Sequence, residues 1–226
     1  MAAKPSIEVL SIGDDCRPIA IVDGLAQAPH RWRDEAVGDG YAYRGDFYPG
    51  RRRPVGPAYF GDTGKRLGAV MRSVFGCTRS LSVDRALYSI VSTDPADLAL
   101  AQRVPHIDDC APDSYAMVHY LSHGAFGGTA FFRHRRSGLA QVPAERHAEY
   151  IDALDADLAM GGEPAPGYID GTTALFEQLS SVEFAYNRAV IYRGNLLHCS
   201  IVPPGIDHPD DAATGRLTIA AFFRAS

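Results

Sequence analysis

Arg216-Leu217-Thr218-Ile219-Ala220-Ala221-Phe222-Phe223 is the stretch that decides how this chain is read. It is apolar, β-branched and aromatic, contains no Gly or Pro, and predicts a buried strand. An arginine at its head is costly to bury unless an anion meets it. That anion is either an internal Asp or Glu or a bound carboxylate. Side chains alternate along a strand, so Arg216 and Thr218 share a face.

Working outward, short strand-like runs recur at 86–92, 102–107, 115–121, 129–132, 189–192 and 196–202. Each is bounded by turn residues. Two more, 7–10 and 19–22, flank the turn Gly13-Asp14-Asp15. Helical periodicity appears at 29–37 and again after Thr63, where Leu67, Val70, Met71, Val74 and Phe75 line one face. Asp62 or Thr63 would cap that helix and Gly76 would end it. A third helix is expected over 143–160 with Ile151, Leu154 and Leu158 inward, and a short one over 172–180. Residues 38–57, rich in Gly and Pro, read as an ordered aromatic loop whose Tyr41, Tyr43, Phe47 and Tyr48 serve packing. The pattern implies a mainly β (α+β) fold, an antiparallel double-sheet jelly roll flanked by helices. One domain is expected over 1–226, with 1–80 as helical and strand support. The jelly-roll core would span 81–226, with a helical insertion at about 133–188.

Bulk properties narrow the function. The chain has 226 residues, 46% hydrophobic and 22% charged, as in an ordinary soluble domain. A net charge of -5 argues against a general nucleic-acid binder. The runs Arg51-Arg52-Arg53 and Arg133-His134-Arg135-Arg136 read as solvated loops. No apolar run nears the roughly 18 residues of a membrane span, and no signal pattern opens the chain, so a cytoplasmic protein without a membrane partner is expected. Cys16, Cys77, Cys110 and Cys199 lack metal spacing and read as reduced thiols.

His106-Ile107-Asp108 puts an imidazole and a carboxylate two residues apart, hence on one face of an extended segment. Taken alone, such a pair is more often a surface feature. His198 lies in an apolar strand, where a histidine is either a hydrogen-bonded core residue or a ligand. His208 competes for that role from a Pro- and Asp-rich loop less suited to hold a ring rigidly. Two imidazoles and one carboxylate form the set that binds non-haem Fe(II) with positions left open. If Tyr120 faces the same pocket, alternation turns His119 outward and removes it from the ligand set.

Taken in chain order, His106-Ile107-Asp108, Val118-His119-Tyr120-Leu121-Ser122, Gly127-Gly128 before a strand, His198 and Arg216 resemble the Fe(II)- and 2-oxoglutarate-dependent oxygenases. The likeness is greatest to the prolyl-hydroxylase-like branch and its small bacterial members. It covers 102–223, about half the chain, and implies a double-stranded β-helix of the cupin-like kind. It also implies that His106, Asp108 and His198 bind Fe(II), and that Arg216, Thr218 and Tyr120 hold the cosubstrate 2-oxoglutarate. Dioxygen would then oxidise a small molecule, amino acid or peptide with release of succinate and CO2. Asp108 favours hydroxylation, since halogenating relatives lack that carboxylate. Two alternatives stay open: a cupin-like or zinc-dependent metalloenzyme, and a jelly roll that binds without catalysing. Neither the substrate nor the oligomeric state follows from sequence.

Overall fold

The computed structural model describes residues 5–42, 47–205 and 209–226. Along the chain run β1 (Ser6–Ile12), β2 (Arg17–Asp23), α1 (Pro29–Ala36), β3 (Gly50–Pro54), α2 (Ala58–Ser73), β4 (Leu81–Val91) and β5 (Ser114–Tyr120). Then follow β6 (Thr129–His134), α3 (His147–Gly161), β7 (Phe176–Val182), β8 (Arg188–Arg193), β9 (His198–Ser200) and β10 (Arg216–Ala225). Strands β1-β2-β8-β5-β10-β4-β3 form one sheet and β7-β6-β9 a second. All the paired strands are antiparallel. No described helix is long and apolar enough to cross a membrane.

Alternation along β10 organises the interior. Leu217, Ile219, Ala221 and Phe223 join Trp32, Tyr59, Leu67 and Met71 in a core between the large sheet and helices α1 and α2. The opposite face of the large sheet meets the small one through Tyr120, Phe131, Val182, Val190, Tyr192 and Leu196. Beyond the small sheet, Tyr150 of α3 packs with Phe132, Phe176 and Leu197. Side chains such as Ile219 and Phe223, at 0% and 1% exposure, each contribute about 1.5–3 kcal/mol by leaving water.

Several expectations change. Residues 102–107 are not a strand. A 3-10 turn occupies Leu100–Gln102, and His106 pairs with His198 through an isolated bridge. Pro105 lacks an N–H and cannot sustain a ladder there. Residues 172–180 are not helical; β7 pairs with β6 instead, its helix-forming Glu177, Gln178 and Leu179 overridden by tertiary pairing. The strand at 196–202 is reduced to β9. In α3 the buried residue is Tyr150, whereas Ile151 is 37% exposed. Helix α2 starts before Asp62 and has no side-chain cap. Asp62 instead accepts hydrogen bonds from the Gln27 and Ala28 amides and the Trp32 indole, tying α1 to α2. After α2, Gly76 takes a positive φ of 63° and the Cys77 amide turns back onto the Met71 carbonyl.

The loop at 38–57 contains edge strand β3, paired along β4. Gly50 is required there, since an added Cβ would lie 1.9 Å from the Ile90 carbonyl oxygen. Tyr43 lies outside the described residues.

Candidate metal centre

Two backbone hydrogen bonds, 3.0 and 2.9 Å, link His106 and His198 reciprocally, and the Asp108 amide donates to the Gly194 carbonyl at 2.8 Å. These contacts hold His106-Ile107-Asp108 against the chain leading into β9. The result is that one ligand atom from each of His106, Asp108 and His198 lies within 4.8 Å of the others. His198 Nδ1 lies 2.9 Å from the Leu196 carbonyl oxygen, an acceptor only. That nitrogen therefore carries the proton and Nε2 presents its lone pair. Nε2 stands 3.5 Å from Asp108 Oδ2, so two electron-pair donors face each other across that gap.

The electrostatics suit a bound cation. Burial drives the His106 pKa well down, reinforced by His198 and Arg52, so its ring is neutral and has a lone pair to offer a metal. Burial raises the Asp108 pKa, opposed by His198 and Arg52. Its Oδ2 is buried and has no hydrogen-bond partner. An orphaned carboxylate oxygen is expensive to bury unless something cationic completes it. The donor set, two imidazoles and a carboxylate, suits a divalent transition metal.

Arg216 is 1% exposed in the same cavity. Its Nε and Nη2 donate to the Gly127 and Gly128 carbonyls at 2.9 and 3.0 Å. Among the described residues no carboxylate pairs with it, so the internal Asp or Glu partner is not found. The double glycine serves close approach: a Cβ on Gly128 would lie 1.7 Å from the Val182 carbonyl oxygen. Thr218 is buried beside Arg216, and the Tyr120 hydroxyl contacts Thr129 Oγ1 at 2.8 Å. The Arg216 guanidinium carbon is 5.9 Å from the Tyr120 ring centre.

His119 does not face solvent. It points away from the cavity into the helical core, fully buried, with Nδ1 2.9 Å from the Tyr59 hydroxyl and Nε2 3.0 Å from Asn187 Oδ1. His208 lies outside the described residues. Arg133 and Arg136 are committed to Asp14, Glu177 and Asp157, and His134 is buried against Asp157.

Sequence reasoning missed Tyr48 and Arg52, which line the cavity with the three candidate ligands. Arg51, Arg52 and Arg53 are not a solvated loop. In β3 they alternate, Arg51 reaching Asp210 and Arg53 the Glu35 carbonyl, while Arg52 turns inward over the Tyr48 ring at 3.9 Å. Recognising the run as a strand would have exposed that split. The cavity holds about 40 Å³, so anything larger than a few waters enters only as side chains shift.

No curated protein matches the chain. Among solved structures it is similar to HygX from Streptomyces hygroscopicus with nickel, 2-oxoglutarate and hygromycin B bound. That match has 15% identity and a TM-score of 0.51, covering 94% of this chain and 84% of HygX. HygX with iron bound aligns at 14% identity and a TM-score of 0.50, with the same coverage. A weaker likeness, 12% identity and a TM-score of 0.49, links it to the non-heme alpha ketoglutarate dependent epimerase SnoN from nogalamycin biosynthesis, over 92% of this chain and 77% of that one. At such identities the likeness is one of fold. A family model matches residues 3–223, and the chain belongs to that family, described as "Family of unknown function (DUF6445)".

Proposed function

We propose that this protein is a non-haem Fe(II)- and 2-oxoglutarate-dependent oxygenase of the prolyl-hydroxylase-like branch. Its two sheets would be the walls of a double-stranded β-helix within a single domain spanning 1–226. Residues 1–80 would buttress that core and 133–188 form an insertion on it. The observation that carries the reading is an unsatisfied, buried Asp108 oxygen facing two imidazoles, in one cavity with a buried arginine that no described carboxylate pairs. A zinc or cupin-like site would explain the first feature but leave Arg216 without a role. The fold shared with HygX, crystallised with iron and with nickel, 2-oxoglutarate and hygromycin B, supports the assignment.

In this reading His106, Asp108 and His198 hold the iron. Arg216, fixed by the Gly127 and Gly128 carbonyls, binds the far carboxylate of 2-oxoglutarate as a charge-assisted pair. Thr218 lines that end of the cavity, and the Tyr120 ring lies behind Arg216 with its hydroxyl on Thr129. The iron would supply dioxygen activation, with 2-oxoglutarate giving succinate and CO2. The protein's own part is orientation and exclusion of water. Asp108 would complete the protein ligand set and leave no site for a halide, which favours hydroxylation or a related oxidation such as demethylation or desaturation. The substrate would be a small molecule, amino acid or peptide, and the enzyme cytoplasmic. HygX was crystallised with hygromycin B, in keeping with a small-molecule substrate.

The test is anaerobic addition of Fe(II) and 2-oxoglutarate, followed by visible spectroscopy and, in air, by succinate release across candidate substrates. A weak charge-transfer band that needs both components is expected. A protein that binds zinc tightly, gives no such band and makes no succinate would be a different metalloenzyme.

A further inference from the structure

The inner face of the large sheet carries more positive charge than the proposed function uses. Phe222 of β10 stands directly opposite Arg85 of β4, and Thr218 opposite Ser89, which is level in turn with Arg52 of β3. Cross-strand neighbours share a face, and Phe222, Thr218 and Arg52 all line the metal cavity. Arg85 and Arg52 therefore stand on the same wall as Arg216. Just beyond Arg85 the register of β4 against β10 slips by one residue, a bulge of the kind that re-aims a side chain beside a site.

The two further arginines are held on different rings. Arg52 lies over Tyr48 at 3.9 Å, whereas the exposed Arg85 lies over the half-buried Phe222 at 4.3 Å. The Arg85 side chain makes no ion pair or hydrogen bond among the described residues. Its neighbour Asp84 goes to Arg224 instead, as do Asp109 and Asp113. Both Arg85 and Arg52 act electrostatically on Asp108, so their charge is felt where the metal would sit. On the His106 side, Phe47 is 52% exposed and stacks on that imidazole at 5.6 Å.

Charge decides what such a mouth admits. With iron and cosubstrate bound, the 2-oxoglutarate dianion matches the metal and Asp108 matches one guanidinium of the three. The cavity stays positive. A planar guanidinium braced on a ring can grip an oxyanion through two parallel hydrogen bonds, and the rings of Phe47 and Phe222 suit an apolar body beside it. Resting on the oxygenase assignment, we infer that the prime substrate is an anion and that Arg85 selects it, binding its carboxylate or phosphate at the cavity rim. Arg52 adds to the attracting field, and Arg216 stays with the cosubstrate.

The probes that test this are N-acetyl amino acids, their neutral amides and phenyl phosphate, added without oxygen to protein loaded with Fe(II) and 2-oxoglutarate. Calorimetry and the charge-transfer band report binding, so turnover is not needed. At least one acid, or the phosphate ester, should bind tenfold or more tightly than the amides. A preference for carboxylate or for phosphate identifies the group, and either one supports the inference. Arg85→Gln should cut the advantage about tenfold, about 1.4 kcal/mol, and Arg85→Lys should recover part of it. In both variants the affinity for 2-oxoglutarate should stay within about twofold of wild type. Amides that bind as well as acids, no probe that binds, or an acid preference untouched by Arg85→Gln would overturn the inference. A normal 2-oxoglutarate band in those cases leaves the oxygenase reading standing, whereas a wild type without the band removes both.

Discussion

His119 and Tyr120 are neighbours on β5, yet they open onto opposite sides of the large sheet and into two different kinds of polar interior. On the helical side, His119 is saturated: Tyr59 on one nitrogen, Asn187 on the other. Asn187 in turn closes onto Ala26 through both its amide atoms. On the inner side, Asp108 Oδ2 has no hydrogen-bond partner among the described residues, and Arg216 has carbonyls but no described carboxylate. Burial is similar in the two places; satisfaction is not. A complete network is scaffold, whereas an incomplete one is shaped around something it must receive.

The contrast can be broken most severely at Asp108. Asp108→Ala should abolish the iron- and 2-oxoglutarate-dependent band and turnover, yet leave the urea midpoint equal or higher. A wild-type rate in this variant would remove the residue from the site. Next in size is Arg216→Ala, for which the apparent KM for 2-oxoglutarate should rise about 10–100-fold, the range for losing hydrogen bonds to a charged group. Stability should also fall by about 1–3 kcal/mol as two carbonyls lose their donors. An unchanged KM would mean another cation holds the cosubstrate.

On the saturated side the effects should invert. His119→Phe should cost about 3 kcal/mol of stability by stranding Tyr59 and Asn187, with 2-oxoglutarate affinity unaltered in the folded protein. Smallest is a pH effect. Burial lowers the His119 pKa to about 4 from its ordinary 6.5. The unfolded chain therefore binds the proton first as pH falls. The stability this histidine contributes is present above about 6.5 and is lost on descending toward 4. Between pH 7 and pH 5 that amounts to about 2 kcal/mol, readable as the amount by which His119→Phe should flatten the pH dependence of urea unfolding that it shares with His106. An identical slope in the variant would place the titration elsewhere.

Much of this arrangement was legible in the residues because it is local. Strands β5, β8 and β10 are unbroken apolar or β-branched runs, and HxD, His198 and Arg216 stand out as chemistry in unusual surroundings. What escaped needed long-range register. Tyr48 and Arg52 sit in a Gly- and Pro-rich stretch whose turn signals masked a five-residue edge strand. Only pairing with β4 brings Arg52 level with Ser89, and thence with Thr218 and Tyr120. Strand β7, Phe-Glu-Gln-Leu-Ser-Ser-Val, has helix-forming residues at its centre and is extended because β6 offers it an edge. In α3 Tyr150 makes the fully buried contact with Leu154 packed beside it, so periodicity found the face through Leu154 but misplaced Ile151, which is exposed.

The reciprocal main-chain clasp between positions 106 and 198 has a kinetic corollary. Segments ninety-two positions apart in sequence are fastened by main-chain groups that no ion would use, so on the proposed reading chelation should empty a vessel that keeps its shape. Reloading would then follow simple second-order uptake, with no refolding lag, unlike small zinc modules that collapse when stripped.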